Sequence, residues 1–236
     1  MGSVTFSIPF DLATALLDAT GIRYAVETGT YLGGTAGQLA RVVDQVWSVE
    51  LLSEIMAQAR ERLAGLDNIH LVEGYSPDVL PALLTDVPGP ALFWLDGHGG
   101  TFGGDDVPSH VLECPVLEEI VAIEAWPHAA QSVILIDDAR AFFGTLLHHR
   151  PDWPTFVDVA DALGRGRYVT VLDDVVIAVP LGMRSAVDAW WHGKLLEREG
   201  LDAHPYLIKK LMDPVWVEEF KRAMAGTTPA PVAPGQ

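Results

Sequence analysis

Two apolar runs in this chain end in carboxylates. "FWLDGHGG" (93–100) closes on Asp96, with His98 two residues on, and "VILIDDAR" (133–140) closes on Asp137 and Asp138. Any one acid at a strand end is most simply a turn former or a helix cap. Three of them offer oxygen donors with no thiolate, the chemistry of a site for a hard divalent ion, Mg²⁺ or Mn²⁺. A histidine on the same rim is suited to moving a proton near neutral pH. His98 is therefore the first candidate for a general base and Asp137 the second. His98 as a metal ligand or as a loop hydrogen-bonder stands beside that reading.

A second set lies earlier. "YAVETGTYLGGT" (24–35) carries Glu27, Gly29 and Gly33 as E-x-G-x-x-x-G after an apolar run. The glycines allow a tight turn and close approach of a ligand, or simply a strand-to-helix turn. The spacing is not the dinucleotide fingerprint G-x-G-x-x-G, which would need its second glycine at Tyr31. Glu50 ends the next apolar run, 21 residues after Gly29. An acid there can accept hydrogen bonds from both hydroxyls of a ribose, whichever nucleoside carries it. The third run ends in "EGYS", so Tyr75 and Ser76 are candidates to meet a base, with packing an equal alternative for Tyr75.

The elements that must position these residues alternate. Short apolar runs at 24–29, 46–51, 69–74, 91–96 and 132–138 read as strands. Amphipathic stretches at 10–21, 35–44, 51–66, 76–84, 116–126 and 155–164 read as helices. Five strands joined by helices imply a parallel, doubly wound α/β sheet. "YVTVL" (168–172) and "VVIAV" (175–179), separated only by Asp173 and Asp174, read as an antiparallel hairpin. Helical segments follow near 183–199 and 205–225. The expected organisation is one domain, its main part over 1–182 with a helical extension of the same domain over 183–226, and a flexible Pro/Ala-rich tail over 227–236. The glycine-rich segment 97–115 reads as a lid.

A Rossmann-like seven-stranded sheet whose last strand is antiparallel resembles the class I S-adenosylmethionine-dependent methyltransferases, and "YAVETGTYLGGT" resembles their first motif. The edges "LDGH" and "LIDDAR" and the helix start "CPVLEEI" are similar to metal-dependent O-methyltransferases of the macrocin O-methyltransferase type, which act on sugars. The resemblance covers about residues 24 to 180. It implies strand order 3-2-1-4-5-7-6, so that Asp96, Asp137 and Asp138 converge beside the methyl donor as ligands of Mg²⁺ or Mn²⁺. It implies that the loop Glu27, Gly29, Thr30, Tyr31, Gly33 and Thr35 holds the methionine part of S-adenosylmethionine. Glu50 would hold the ribose, Tyr75 and Ser76 the adenine, and Asp96 would border donor and metal alike. In the sugar enzymes the catalytic histidine is expected slightly farther from the strand-four acid than His98 is from Asp96. The function implied is O-methylation of a sugar hydroxyl, with a catechol-type acceptor or a nicotinamide-dependent oxidoreductase as the alternatives.

Composition narrows the partners. A net charge of −17 repels phosphate backbones and anionic lipid, so a small-molecule or oligosaccharide acceptor is expected rather than nucleic acid or membrane. One cysteine, Cys114, and no visible signal peptide agree with a cytoplasmic protein. A homodimer is compatible with the chain. His110 and Glu113 in the lid, and the pair His148–His149, are secondary candidates for the acceptor side. Trp190, Trp191, Tyr206 and Trp216 could face a sugar, though core or interface packing is the simpler role.

Overall fold

The structure, a computed structural model, describes residues 7–98, 113–144 and 153–198. Helix α1 (Phe10–Thr20) leads into β1 (Tyr24–Thr28), α2 (Gly34–Leu39), β2 (Gln45–Glu50), α3 (Ser53–Leu63), β3 (Ile69–Glu73), α4 (Ser76–Leu83) and β4 (Ala91–Leu95). Then come α5 (Val116–Glu124), β5 (Val133–Ile136), α6 (Phe156–Ala162), β6 (Arg167–Leu172), β7 (Val175–Pro180) and α7 (Arg184–Arg198). The strands form one seven-stranded sheet in the order β3-β2-β1-β4-β5-β7-β6. Pairing is parallel from β3 through β5, and β7 runs antiparallel to both its neighbours. The order and the single antiparallel strand are those expected from the sequence.

Burial grades across the sheet as the connections require. The middle strands β4 and β5 are buried at every position, as continuous apolar runs covered on both faces should be. Edge strand β3 shows no fully buried residue. Val26, Val49, Phe93, Leu95, Ile134, Ile136, Val176 and Ala178 share one face, where they meet Leu80, Ile120, Ile123 and Val159 from α4, α5 and α6. Right-handed crossovers put α2 and α3 on the opposite face, because β1-β2-β3 and β1-β4-β5 are laid down in opposite directions. That reversal between β1 and β4 opens a crevice at the carboxyl ends of the strands, where ligands bind in doubly wound folds.

Helix α2 is shorter than the expected 35–44. It ends at Leu39 because the chain must turn into β2. The Asp44 amide donates to the Arg23 carbonyl at 2.8 Å, and Asn68 Nδ2 donates to the carbonyls of Ala40 (2.8 Å) and Val43 (3.3 Å) that a longer helix would have used. The chain divides after Asp188 into Met1–Asp188 and Ala189–Gln236. Val187, at the start of the expected helical extension, is fully buried within the first unit. In the second unit the Trp190 and Trp191 rings lie 5.9 Å apart, and Lys194 sits 4.8 Å over the Trp190 ring. Residues 99–112 of the lid with His110, the pair His148–His149, Tyr206, Trp216 and the tail lie outside the described residues. Among the described residues no helix is long and apolar enough to cross a membrane.

Candidate active site

The turn after β1 is built on the carboxyl edge of the sheet. The amides of Gly29 and Thr30 both reach the Val49 carbonyl, at 2.9 and 3.0 Å, and the Asp96 amide reaches the Thr28 carbonyl at 3.0 Å. Gly29 has φ +84°, and a Cβ there would stand 2.4 Å from the Asp96 carbonyl oxygen. Its lack of a side chain lets the β1 turn close against the end of β4. Gly33 (φ +76°) has a different neighbour: its Cβ would meet Leu63 Cδ1 at 2.5 Å, so it serves the packing of α2 on α3.

A cleft of about 430 Å³ lies against this turn, bordered by Gly29, Tyr31, Glu50, Gly74, Tyr75, Ser76, Asp96, Gly97 and His98, with Val49, Leu51, Leu52 and Ile55 as its apolar wall. That volume suits a nucleoside-sized ligand. Six of the expected cofactor residues border it: Gly29, Tyr31, Glu50, Tyr75, Ser76 and Asp96. Glu27, Thr30, Gly33 and Thr35 do not. The aliphatic wall escaped sequence reading because Leu51, Leu52 and Ile55 look like ordinary helix-start residues.

Two backbone amides pin Glu50. Tyr31 N donates to Oε2 at 2.9 Å and Leu52 N to Oε1 at 3.0 Å. Each oxygen has a further lone pair, so the fixed carboxylate can still accept from two vicinal hydroxyls. Glu27 lies beneath the turn, 1% exposed. Its carboxyl accepts from Ser48 Oγ, which pairs at 2.6 Å with Thr30 Oγ1. Burial pushes Glu27 up to about 8, against the Ser48 hydrogen bond that favours the charged form.

The second group of acids stands on the far side of Asp96. Asp137, Asp138 and Asp174 bring one carboxylate oxygen each within 4.8 Å of one another. The expected third member, Asp96, is not in this group, and Asp174 takes that place. The topology explains it. Because β7 is antiparallel to β5, the β6–β7 turn lands on the carboxyl edge beside Asp137. Arg140 is held inside the group: Nη2 bonds Asp138 Oδ1 at 2.6 Å, Nη1 bonds Asp174, and its amide donates to Asp174 Oδ1 at 2.9 Å. The Asp138 amide caps Asp137 Oδ1 at 2.7 Å. Burial, then the charges of Asp137, Glu27 and Asp138, push Asp96 up to about 8. Burial is also the main cause that raises Asp137 to about 7.

His98 bridges cleft and acids. It is 7% exposed, its ring edge-on to Phe142 and Trp153 at 5.9 and 5.2 Å. Nε2 faces the Asp137 carbonyl at 3.3 Å. A carbonyl only accepts, so that nitrogen carries the proton and Nδ1 is left with a free lone pair. No described residue bonds Nδ1. Burial lowers the pKa of the ring, which keeps the imidazole neutral.

Solved structures align along most of the chain. A candidate caffeoyl-CoA O-methyltransferase from Staphylococcus aureus is 14% identical, with 76% of this chain and 86% of that one covered at a TM-score of 0.50. The cofactor-bound protein Rv0187 from MTB is 22% identical, with 75% and 82% covered at a TM-score of 0.50. The fold is that of the class I methyltransferases. No family model matches the chain. A 75-residue stretch is 40% identical to the protein-L-isoaspartate O-methyltransferase of Anaeromyxobacter dehalogenans, covering 30% of this chain and 36% of that protein. A 77-residue stretch is 38% identical to the corresponding enzyme 2 of Pelobacter propionicus, covering 31% and 34%. The chain thus spans about a third of the length of these relatives.

The buried acids of this methyltransferase fold make its ligand-free stability pH-dependent. Glu27, at about 8, and Glu119 on α5, at about 7, both have folded-state pKa values above the ordinary 4.5. Their contribution is fully present below pH 4.5 and is lost as pH rises through 7 and 8. The melting temperature of the ligand-free protein should therefore fall between pH 5.5 and 8.5, and Glu27→Gln should make the fall shallower. Calorimetric melts across that range check this; a melting temperature that is flat or rises with pH would contradict it.

Proposed function

We propose that the chain is an S-adenosylmethionine-dependent O-methyltransferase that acts on a sugar hydroxyl with the help of a divalent ion and a histidine base. The position of Asp96 carries the reading. It borders the cleft that contains Glu50, and it lies near enough to Asp137 and Asp138 to be raised by both charges. One carboxylate thus joins a nucleoside-sized cleft to an oxygen-donor cluster, on a methyltransferase sheet. The 40%-identical stretch shared with an O-methyltransferase agrees with this. Support for a sugar acceptor comes from the "LDGH", "LIDDAR" and "CPVLEEI" resemblance.

The residues fit both groups. The acidic cleft suits a donor with a sulfonium and an ammonium charge. Asp137, Asp138 and Asp174 offer only oxygen ligands and more negative charge than Arg140 neutralises, as Mg²⁺ or Mn²⁺ requires. An ion held there supplies Lewis-acid stabilisation of the charge that develops on an attacking hydroxyl. Glu50 holds the ribose hydroxyls, and the cationic end of the donor beside Asp96 favours the charged form of that carboxyl, which burial otherwise keeps protonated. His98 Nδ1 takes the acceptor proton as the methyl carbon forms its bond to oxygen and breaks its bond to sulfur, leaving S-adenosylhomocysteine and the imidazolium. Tyr31, with φ +46° and a side chain where a pyrophosphate loop needs glycine, supports a methyl donor over a nicotinamide dinucleotide.

Transfer of a labelled methyl group to monosaccharides, glycosides, a catechol and an isoaspartyl peptide, each with and without EDTA, tests the reading. Labelled glycosides and loss of transfer in EDTA are expected. Transfer only to the catechol or the peptide would overturn the acceptor class, and full transfer in EDTA would remove the ion.

A further inference from the structure

Glu119 is a buried acid with no place in the chemistry above. It lies on α5 along the stripe Val116, Ile120 and Ile123 and is 0% exposed. Its Oε1 accepts from Ser76 Oγ at 2.5 Å, while Oε2 has no hydrogen-bond partner among the described residues. Ser76, 7% exposed, is the first residue of α4 and borders the cleft beside Gly74 and Tyr75. Burial raises Glu119 to about 7, and the Ser76 hydroxyl opposes that rise.

A hydroxyl has one proton. Above pH 7, where Glu119 is ionised, its carboxylate can only accept, so Ser76 spends that proton on Glu119 and offers the cleft a lone pair. The β2 and β3 ends adjoin: the Gly74 amide donates to the Glu50 carbonyl at 2.9 Å. A ribose held by Glu50 therefore sends its base toward Gly74, Tyr75 and Ser76. An adenine presents an exocyclic amino donor, which an acceptor-only serine satisfies. A hypoxanthine presents a carbonyl in the same place, which leaves two acceptors facing each other.

We infer that Glu119 is a positioning residue that fixes Ser76 as a hydrogen-bond acceptor and so makes the cleft select adenine over 6-oxopurine nucleosides. The inference rests on the nucleoside reading of the cleft. Glu119→Gln can donate to Ser76, and Glu119→Met fills similar volume without any acceptor. Either change releases the serine proton to the cleft.

The test is calorimetric titration at pH 8.5, where Glu119 is ionised, of S-adenosylhomocysteine and S-inosylhomocysteine into wild type, Glu119→Gln, Glu119→Met, Ser76→Ala and Ser76→Ala/Glu119→Gln. Wild type should prefer the adenosyl ligand by about 10- to 100-fold. Each Glu119 substitution should cut that ratio by about threefold or more, and Ser76→Ala should bring it near unity, with no further change in the double variant. Should one Glu119 variant not fold, the other carries the same prediction. A purely structural Glu119 would weaken both ligands alike and leave the ratio unchanged, and that result overturns the inference while the nucleoside reading stands. Wild type that binds neither ligand overturns both.

Discussion

Gly29→Ala is expected to abolish binding of S-adenosylhomocysteine and to lower the melting temperature by roughly 5–15 °C, from a cost of about 2–5 kcal/mol. Two effects add. An alanine pays for a φ of +84°, and its Cβ would sit 2.4 Å from the Asp96 oxygen, 2.7 Å from the Asp96 carbonyl carbon and 2.9 Å from Gly97 N. All three are backbone atoms, so no rotamer change relieves the overlap. The Asp96 amide is bonded to Thr28 and the Gly29 amide to Val49, so the clash would part the β1 turn from β4. That moves Asp96 relative to Glu50, and the cleft lies between them. Gly34→Ala is the control. It begins α2, its φ is not positive, and nothing lies within 4 Å of its Cβ position. A Gly29→Ala protein that melts and binds like wild type would mean that the turn does not set the cleft.

His98→Gln is expected to reduce the turnover rate by about 10²- to 10⁴-fold while changing the affinity for S-adenosylhomocysteine by less than about threefold. The argument is one of lone pairs. Nε2 is committed to the Asp137 carbonyl and Nδ1 is buried, unbonded by the described residues, on a ring that borders the cleft. Phe142 and Trp153 pack edge-on against the ring and fix its place. Glutamine fills much of the same space without a basic nitrogen. Single-turnover methyl transfer and calorimetry on the same samples separate rate from binding. Wild-type turnover in His98→Gln, with turnover lost in Asp137→Asn, would assign the base to Asp137.

Much of this was legible in the chain. Continuous apolar runs located the buried strands, and the Asp173–Asp174 turn located the hairpin that makes β7 antiparallel. Asp137 and Asp138 were readable because they directly follow such a run. Asp174 was not, because in a hairpin turn an acid has a sufficient local reason to be there. Only the order β5-β7-β6 brings it to the acids after β5. Arg140 stands in the quoted "LIDDAR", yet its pairing with Asp138 and Asp174 depends on that same approach. Gly33 looked like a ligand-approach glycine because spacing cannot tell a ligand from Leu63. Glu119 did leave a signal: it is an acid on the apolar stripe of a helix, where burial without a purpose is costly. The end of α2 at Leu39 was hidden by the apolar Val42 and Val43, which continue a helical period into the turn before β2.

The central claim is that the cleft beside Gly29, Glu50 and Asp96 takes an adenosyl methyl donor. Calorimetric titration of S-adenosylhomocysteine and of NAD into the protein, each with and without Mg²⁺, tests it most directly. Saturable binding of S-adenosylhomocysteine with none of NAD is the predicted result. Binding of NAD with none of S-adenosylhomocysteine would contradict it.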